Sequence, residues 1–149
     1  MRRTMIVACV LLLGAGAVMA QQEVAVQQDN LMRSQAKSLY DVMLKMTKGT
    51  IPYNQKTVDK ALDDLEADVA KISKTFEVNP KQDVVNATYG ASQKVWQQKA
   101  DFDSKIPPVQ KAIAEAKGKI HNLATLKAAY TTINDRCTDC HETYRLKLK

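Results

Sequence analysis

A chain of 149 residues, 45% apolar and 26% charged, is long enough for one domain with its own core. Its formal charge of +6 sets 22 lysines and arginines against 16 acids, with no basic stripe interleaved with aromatics. Such an excess favours an acidic protein or a negative surface as partner and gives no support to nucleic-acid binding.

The first 20 residues have a basic start (Arg2, Arg3), an apolar run from Met5 to Leu13 and small residues ending at Val18-Met19-Ala20. That pattern predicts a secretory signal peptide cleaved after Ala20. The apolar run is too short to span a membrane, and no other stretch approaches the ~20 apolar residues required, so no membrane insertion is expected after cleavage. The mature domain is then 21–149, with two of the three cysteines left because Cys9 departs with the leader. No internal structural disulfide is expected in it.

Four segments carry apolar residues at alternating steps of three and four, the period of helices packed along a seam. They are Met32, Ala36, Leu39, Met43, Met46; then Val58, Leu62, Leu65, Val69, Ile72, Phe76; then Phe102, Ile106, Val109, Ile113, Ala116, Ile120; and finally Leu123, Leu126, Tyr130, Ile133, Cys137, Cys140, Tyr144. Asn54 and Asn122 stand where the second and fourth helices need caps. Lys48-Gly49-Thr50-Ile51-Pro52-Tyr53 breaks the chain after the first helix, and Lys117-Gly118 ends the third. Both connections are short, so the helices they join are neighbours. The fold class expected is all-α, an antiparallel up-down four-helix bundle. Pro107-Pro108 predicts a kink in the third helix. The longer link, residues 78–92, reads as a crossover over the bundle. The acids Asp63, Asp64, Glu66 and Asp68 read as a solvated face.

Near the C-terminus stands Cys137-Thr-Asp-Cys140-His141. Two thiols at this spacing can each add across one haem vinyl group, and the adjacent imidazole then serves as proximal iron ligand. The other readings are a thioredoxin-type redox pair, which belongs beside a βαβ pattern, and structural zinc, which needs four ligands. Neither requirement is met, since His121 lies about 20 residues from His141, roughly 30 Å along a helix. The expected cofactor is one covalently attached haem c, carried by Cys137 and Cys140 with His141 on the iron. Haem attachment of this kind follows export in bacteria, so leader and motif together predict the periplasm.

Both cysteines fall on the inward seam of the fourth helix, which directs the haem into the bundle. In up-down topology the end of helix four packs beside the start of helix one. The distal ligand should therefore come from the first turns of helix one, where Met32 is on the seam. Met43 and Met46 are 11 and 14 residues further on, roughly 16 to 21 Å away, and are core methionines. Arg145, one turn beyond His141, either sits beside the proximal imidazole or is a solvated C-terminal cation.

On Leu31-Met32-Arg33-Ser34, Lys48-Gly49-Thr50-Ile51-Pro52-Tyr53 and Cys137-Thr-Asp-Cys140-His141-Glu-Thr-Tyr144-Arg145, the chain resembles the class II c-type cytochromes, most of all the low-spin, methionine-ligated members of the cytochrome c′ family. The resemblance implies that Met32 is the sixth ligand. It departs from the pattern at Gln28, where such members commonly have an arginine that contacts a haem propionate. Family members that dimerise do so through the first two helices, so the resemblance allows a homodimer.

The function expected is one-electron transfer between redox protein partners, not enzymatic catalysis. The cations Arg145, Lys147 and Lys149 at the end of the chain suit an acidic partner. The alternative is a five-coordinate protein with an open distal face that binds small gases such as NO and CO.

Overall fold

The structure, a computed structural model, describes the backbone from Thr4 and the side chains from Met19 to Lys149. The side chains of nearly the whole expected leader, Cys9 among them, lie outside the described residues.

Helix α1 runs Thr4–Ala36, continues through a π-helical stretch Lys37–Leu44 and closes with the turn Lys45–Thr47. Gly49, at φ +70°, takes the chain out of the helix in a left-handed conformation that a side chain would strain. Helix α2 is Gln55–Val69, with a further turn at Ile72–Thr75, and begins where the Asn54 side chain accepts the Thr57 N–H at 2.9 Å. Helix α3 is Ile106–Ala116, approached through two short helical pieces, Lys94–Gln97 and Lys99–Ser104. Gly118, at φ +73°, turns the chain toward α4, Leu123–Tyr144, where Asn122 and Thr125 form a reciprocal capping box.

Each helix packs on the next and α4 returns to α1, closing a four-helix bundle. The seams explain why. All six named seam positions of α2 and its following turn are buried, and so are all six from Phe102 to Ile120. Met43, Met46, Leu62, Leu65, Ile113, Leu126 and Ile133 are fully buried, each stabilising the fold by about 1.5–3 kcal/mol relative to exposure. Leu123 departs from its expected seam, being 47% exposed in the first turn of α4.

Four other expectations are corrected. Pro107 and Pro108 do not kink a continuous helix; they occupy the first turn of a restarted one, where the missing N–H groups have no helical acceptor to lose. Arg145 does not continue α4, because its backbone is extended at φ −103°, ψ 137°. Asp68 is buried and paired with Lys71 at 3.0 Å, unlike the exposed acids around it. The 78–92 link is more than a crossover. It contains strand β1, Tyr89–Ala91, which pairs antiparallel with β2, Arg145–Lys147, in the register Tyr89↔Lys147, Gly90↔Leu146, Ala91↔Arg145.

Two polar contacts fix how the helices meet. Gln28 is buried, and its Nε2 donates to the carbonyls of Thr75 at 3.1 Å and Val78 at 3.0 Å, tying the second half of α1 to the segment that follows α2. Tyr40 donates to Asn134 Oδ1 at 3.1 Å, tying α1 to α4.

Leu62→Ala is expected to lower the unfolding free energy by about 2–5 kcal/mol, through lost transfer energy and a residual cavity. Asn54→Ala, which removes only a cap, should cost about 1 kcal/mol. Urea titrations of the two variants check the order, and a larger loss at Asn54 would contradict it.

Candidate haem site

The C-terminal third of α4, the middle of α1 and the 78–92 connection enclose a cavity of about 510 Å³. That lies inside the range of roughly 300–1,000 Å³ usual for cofactor sites. Cys137, Cys140, His141 and Met32 all line it. The four residues singled out as cofactor or iron ligands are therefore brought to one space.

The α1–α4 register explains the meeting. In an antiparallel pair locked at Tyr40 and Asn134, positions whose numbers sum to about 174 stand level. Met32 is eight residues before Tyr40 and His141 is seven after Asn134, about 12 Å and 10 Å along their helices in the same direction. Met32 is half-buried among the core side chains. Its neighbour Arg33 is exposed and paired with Asp29 at 2.6 Å, so a shift of one residue would put a solvated, ion-paired side chain at this position.

Cys137 and Cys140 are both free. Burial pushes each thiol up to about 11, with the neighbouring Cys140 adding to the effect at Cys137. Both sulfurs accordingly lie in an apolar setting rather than in water. Burial, then the Arg145 charge, lowers His141 to about 4. The imidazole is neutral at physiological pH and keeps a nitrogen lone pair for a metal.

Arg145 lines the same cavity but is exposed, with its guanidinium 4.5 Å from the centroid of the Tyr89 ring. This cation–π contact, the β1–β2 ladder and the bonds from Ser92 N–H to the Tyr144 carbonyl at 2.8 Å and from Leu148 N–H to the Thr88 carbonyl at 2.9 Å fasten the connection over the end of α4. At Gly90 a Cβ would come within 2.1 Å of Asp83 Oδ1, so a larger residue there would have to displace the Asp83 carboxylate. Beneath the ladder, Tyr144 donates to Asp101 and meets Phe102 edge-on at 5.2 Å between centroids. Burial and the Asp101 hydrogen bond push the Tyr144 phenol up to about 12.

The residues fit a haem. Two thiols, a neutral imidazole and a thioether converge on a cavity whose wall also includes Phe76, Phe102, Ile106 and Val109. Gln35 Nε2 and Trp96 Nε1 are buried donors without a protein acceptor, and both residues contribute to the same wall. Sequence reasoning missed Trp96 and the whole 80–93 wall, because neither has a local pattern that points to a cofactor.

A family profile described as Cytochrome C' matches residues 23–145. The chain belongs to the cytochrome c′ family. It is 82% identical over 149 residues to a cytochrome c-555 of Bradyrhizobium diazoefficiens, covering the whole of both chains. It is 38% identical to a cytochrome c-556 of Rhodopseudomonas palustris, across 99% of each. The solved cytochrome c′ of Rhodopseudomonas palustris superposes with a TM-score of 0.74 at 27% identity, over 85% of this chain and 98% of that one. As a class II c-type cytochrome, the protein carries covalently bound haem c.

Replacing either Cys137 or Cys140 by alanine should leave haem attached by a single thioether. In alkaline pyridine the reduced α band then moves to longer wavelength, toward that of a haem retaining one vinyl group. An unmoved band in either variant would remove that cysteine from the attachment site.

Proposed function

We propose that this cytochrome is a one-electron carrier of the periplasm, with His141 and Met32 as axial ligands of a single haem c. The observation that carries the reading is the sharing of one cavity by Met32 and His141, level across the α1–α4 pair. Haem c supplies an iron that exchanges one electron, and thioether ligation favours its ferrous state and raises the potential.

The chain's own residues provide the rest. The neutral His141 offers a lone pair without first losing a proton, and burial of both thiols leads to a haem held inside the bundle rather than on it. Met32 stands on a helix whose Leu39, Met43 and Met46 side chains are core, so the distal group is held in place rather than swung in. A six-coordinate site of this kind changes little in structure on electron transfer. A periplasmic address is supported by the leader pattern and by the export that haem attachment follows. Among the described residues, no helix is long and apolar enough to cross a membrane.

Absorption spectra of the haem-loaded mature protein and of Met32→Ala test the ligation. The oxidised wild type should show a thioether charge-transfer band near ~695 nm that the variant lacks. Carbon monoxide should bind the reduced variant much faster than the reduced wild type. High-spin spectra in both, with carbon monoxide binding freely to wild type, would favour the five-coordinate gas-binding reading instead.

A further inference from the structure

The β1–β2 ladder continues outward from the cavity wall, and its composition is unusual for a surface. Val85 and Leu146 are 74% and 46% exposed, and Tyr89 and Leu148 are exposed beside them. Strand alternation puts Tyr89, Arg145 and Lys147 on one face and Leu146 with Leu148 on the other, and all three β2 residues are exposed. Arg145 and Lys147 therefore share the Tyr89 face, Lys81 lines the cavity with Tyr89 and Arg145, and Lys149 follows two residues after Lys147.

Among the described residues none of those four cations belongs to an ion pair, whereas Lys60, Lys99 and Lys117 elsewhere each hold a carboxylate at 2.8 Å or less. Lys149 is instead turned back onto the loop by a hydrogen bond to Asn86 Oδ1 at 3.1 Å. Exposed apolar side chains interspersed with uncompensated positive charge along one strand edge suit a transient interface. It also borders the haem cavity directly, through Tyr89 and Arg145.

We infer that the outer edge of β2, where side chains of both faces of the ladder meet solvent, is together with the adjoining 81–89 loop the surface on which an acidic redox protein docks to exchange electrons with the haem. The inference rests on the carrier reading and deepens it by naming the surface and the chemistry of the partner. Acidic side chains on the partner meet Lys81, Arg145, Lys147 and Lys149, and its apolar contact covers Val85, Tyr89 and Leu146. One electron crosses the bordered cavity wall, reducing one iron as the other is oxidised, with no bond made or broken.

Reduced rubredoxin, a small acidic one-electron donor, serves as the probe in stopped-flow reduction of the oxidised holoprotein. At low ionic strength Lys147→Glu/Lys149→Glu should lower the second-order rate constant roughly tenfold or more, and the difference should shrink at high salt. Lys48→Glu/Lys56→Glu makes the same change in net charge at the far end of the bundle, about 24 Å along α1 from Met32, and should alter the rate by about twofold or less. Val85→Ser/Leu146→Ser should slow the reaction at low and high salt alike.

Equal slowing by the two charge-reversed pairs would reduce the effect to net charge and overturn the docking surface. An unslowed Val85→Ser/Leu146→Ser variant would equally remove the apolar contact from it. Because ligation is read separately from the Met32 spectra, either failure leaves the carrier reading standing.

Discussion

The site depends on one constraint, the antiparallel register of α4 against α1. The haem motif lies near the end of one helix and its candidate distal ligand lies in another, so nothing local in the chain brings them together. The Tyr40 to Asn134 hydrogen bond and the buried row Leu39, Met43, Met46, Leu126 and Ile133 set their relative height. A slip of one helical turn, about 5.4 Å, would carry Met32 past the level of His141 and put Gln28 or Ala36 in its place. Those core side chains stabilise the bundle and also fix the distance between Met32 and His141.

Burial has opposite effects on the charge states of the groups it encloses. The thiols of Cys137 and Cys140 are pushed up to about 11 and remain protonated, while His141 is pushed down to about 4 and remains deprotonated. One desolvated cavity therefore gives neutral sulfur and neutral nitrogen at the same pH. Arg145 strengthens the second effect from the rim, where its own charge is kept solvated and stacked on Tyr89.

Most of this was legible in the sequence wherever the signal is periodic or carried by local chemistry. The steps of three and four found the buried faces of α2 and α3 residue by residue, and the two asparagines marked helix starts because an Asx side chain caps its own third neighbour. The wall formed by residues 80–93 was not legible. Its strand is three residues long and pairs with the last residues of the chain, a contact with no local periodicity to reveal it. The same contact explains the error at Arg145: the ladder draws the backbone into an extended conformation where apolar phase alone would have continued the helix. The failure at Leu123 is of a different kind, since the first turn of a helix can carry a seam residue before the helix has reached its neighbour.

Gln28 shows how the chain has redistributed charge around its cofactor. The position where methionine-ligated relatives of this class commonly carry an arginine holds a neutral amide here, and its Nε2 donates to the Thr75 and Val78 carbonyls. It contributes to joining α1 to the segment that follows α2 and supplies no positive charge to the cavity. Of the cations on the cavity wall, Arg33 is held by Asp29 and Lys105 lies 3.9 Å from Asp101, which leaves Lys81 and Arg145 without an acid partner among the described residues. Both belong to the connection and the C-terminal strand rather than to a bundle helix. The unpaired positive charge on the cavity wall therefore sits on the segments that also meet solvent, so the fastening of the connection to the C-terminal strand bears on both the electrostatics of the site and its exposed edge.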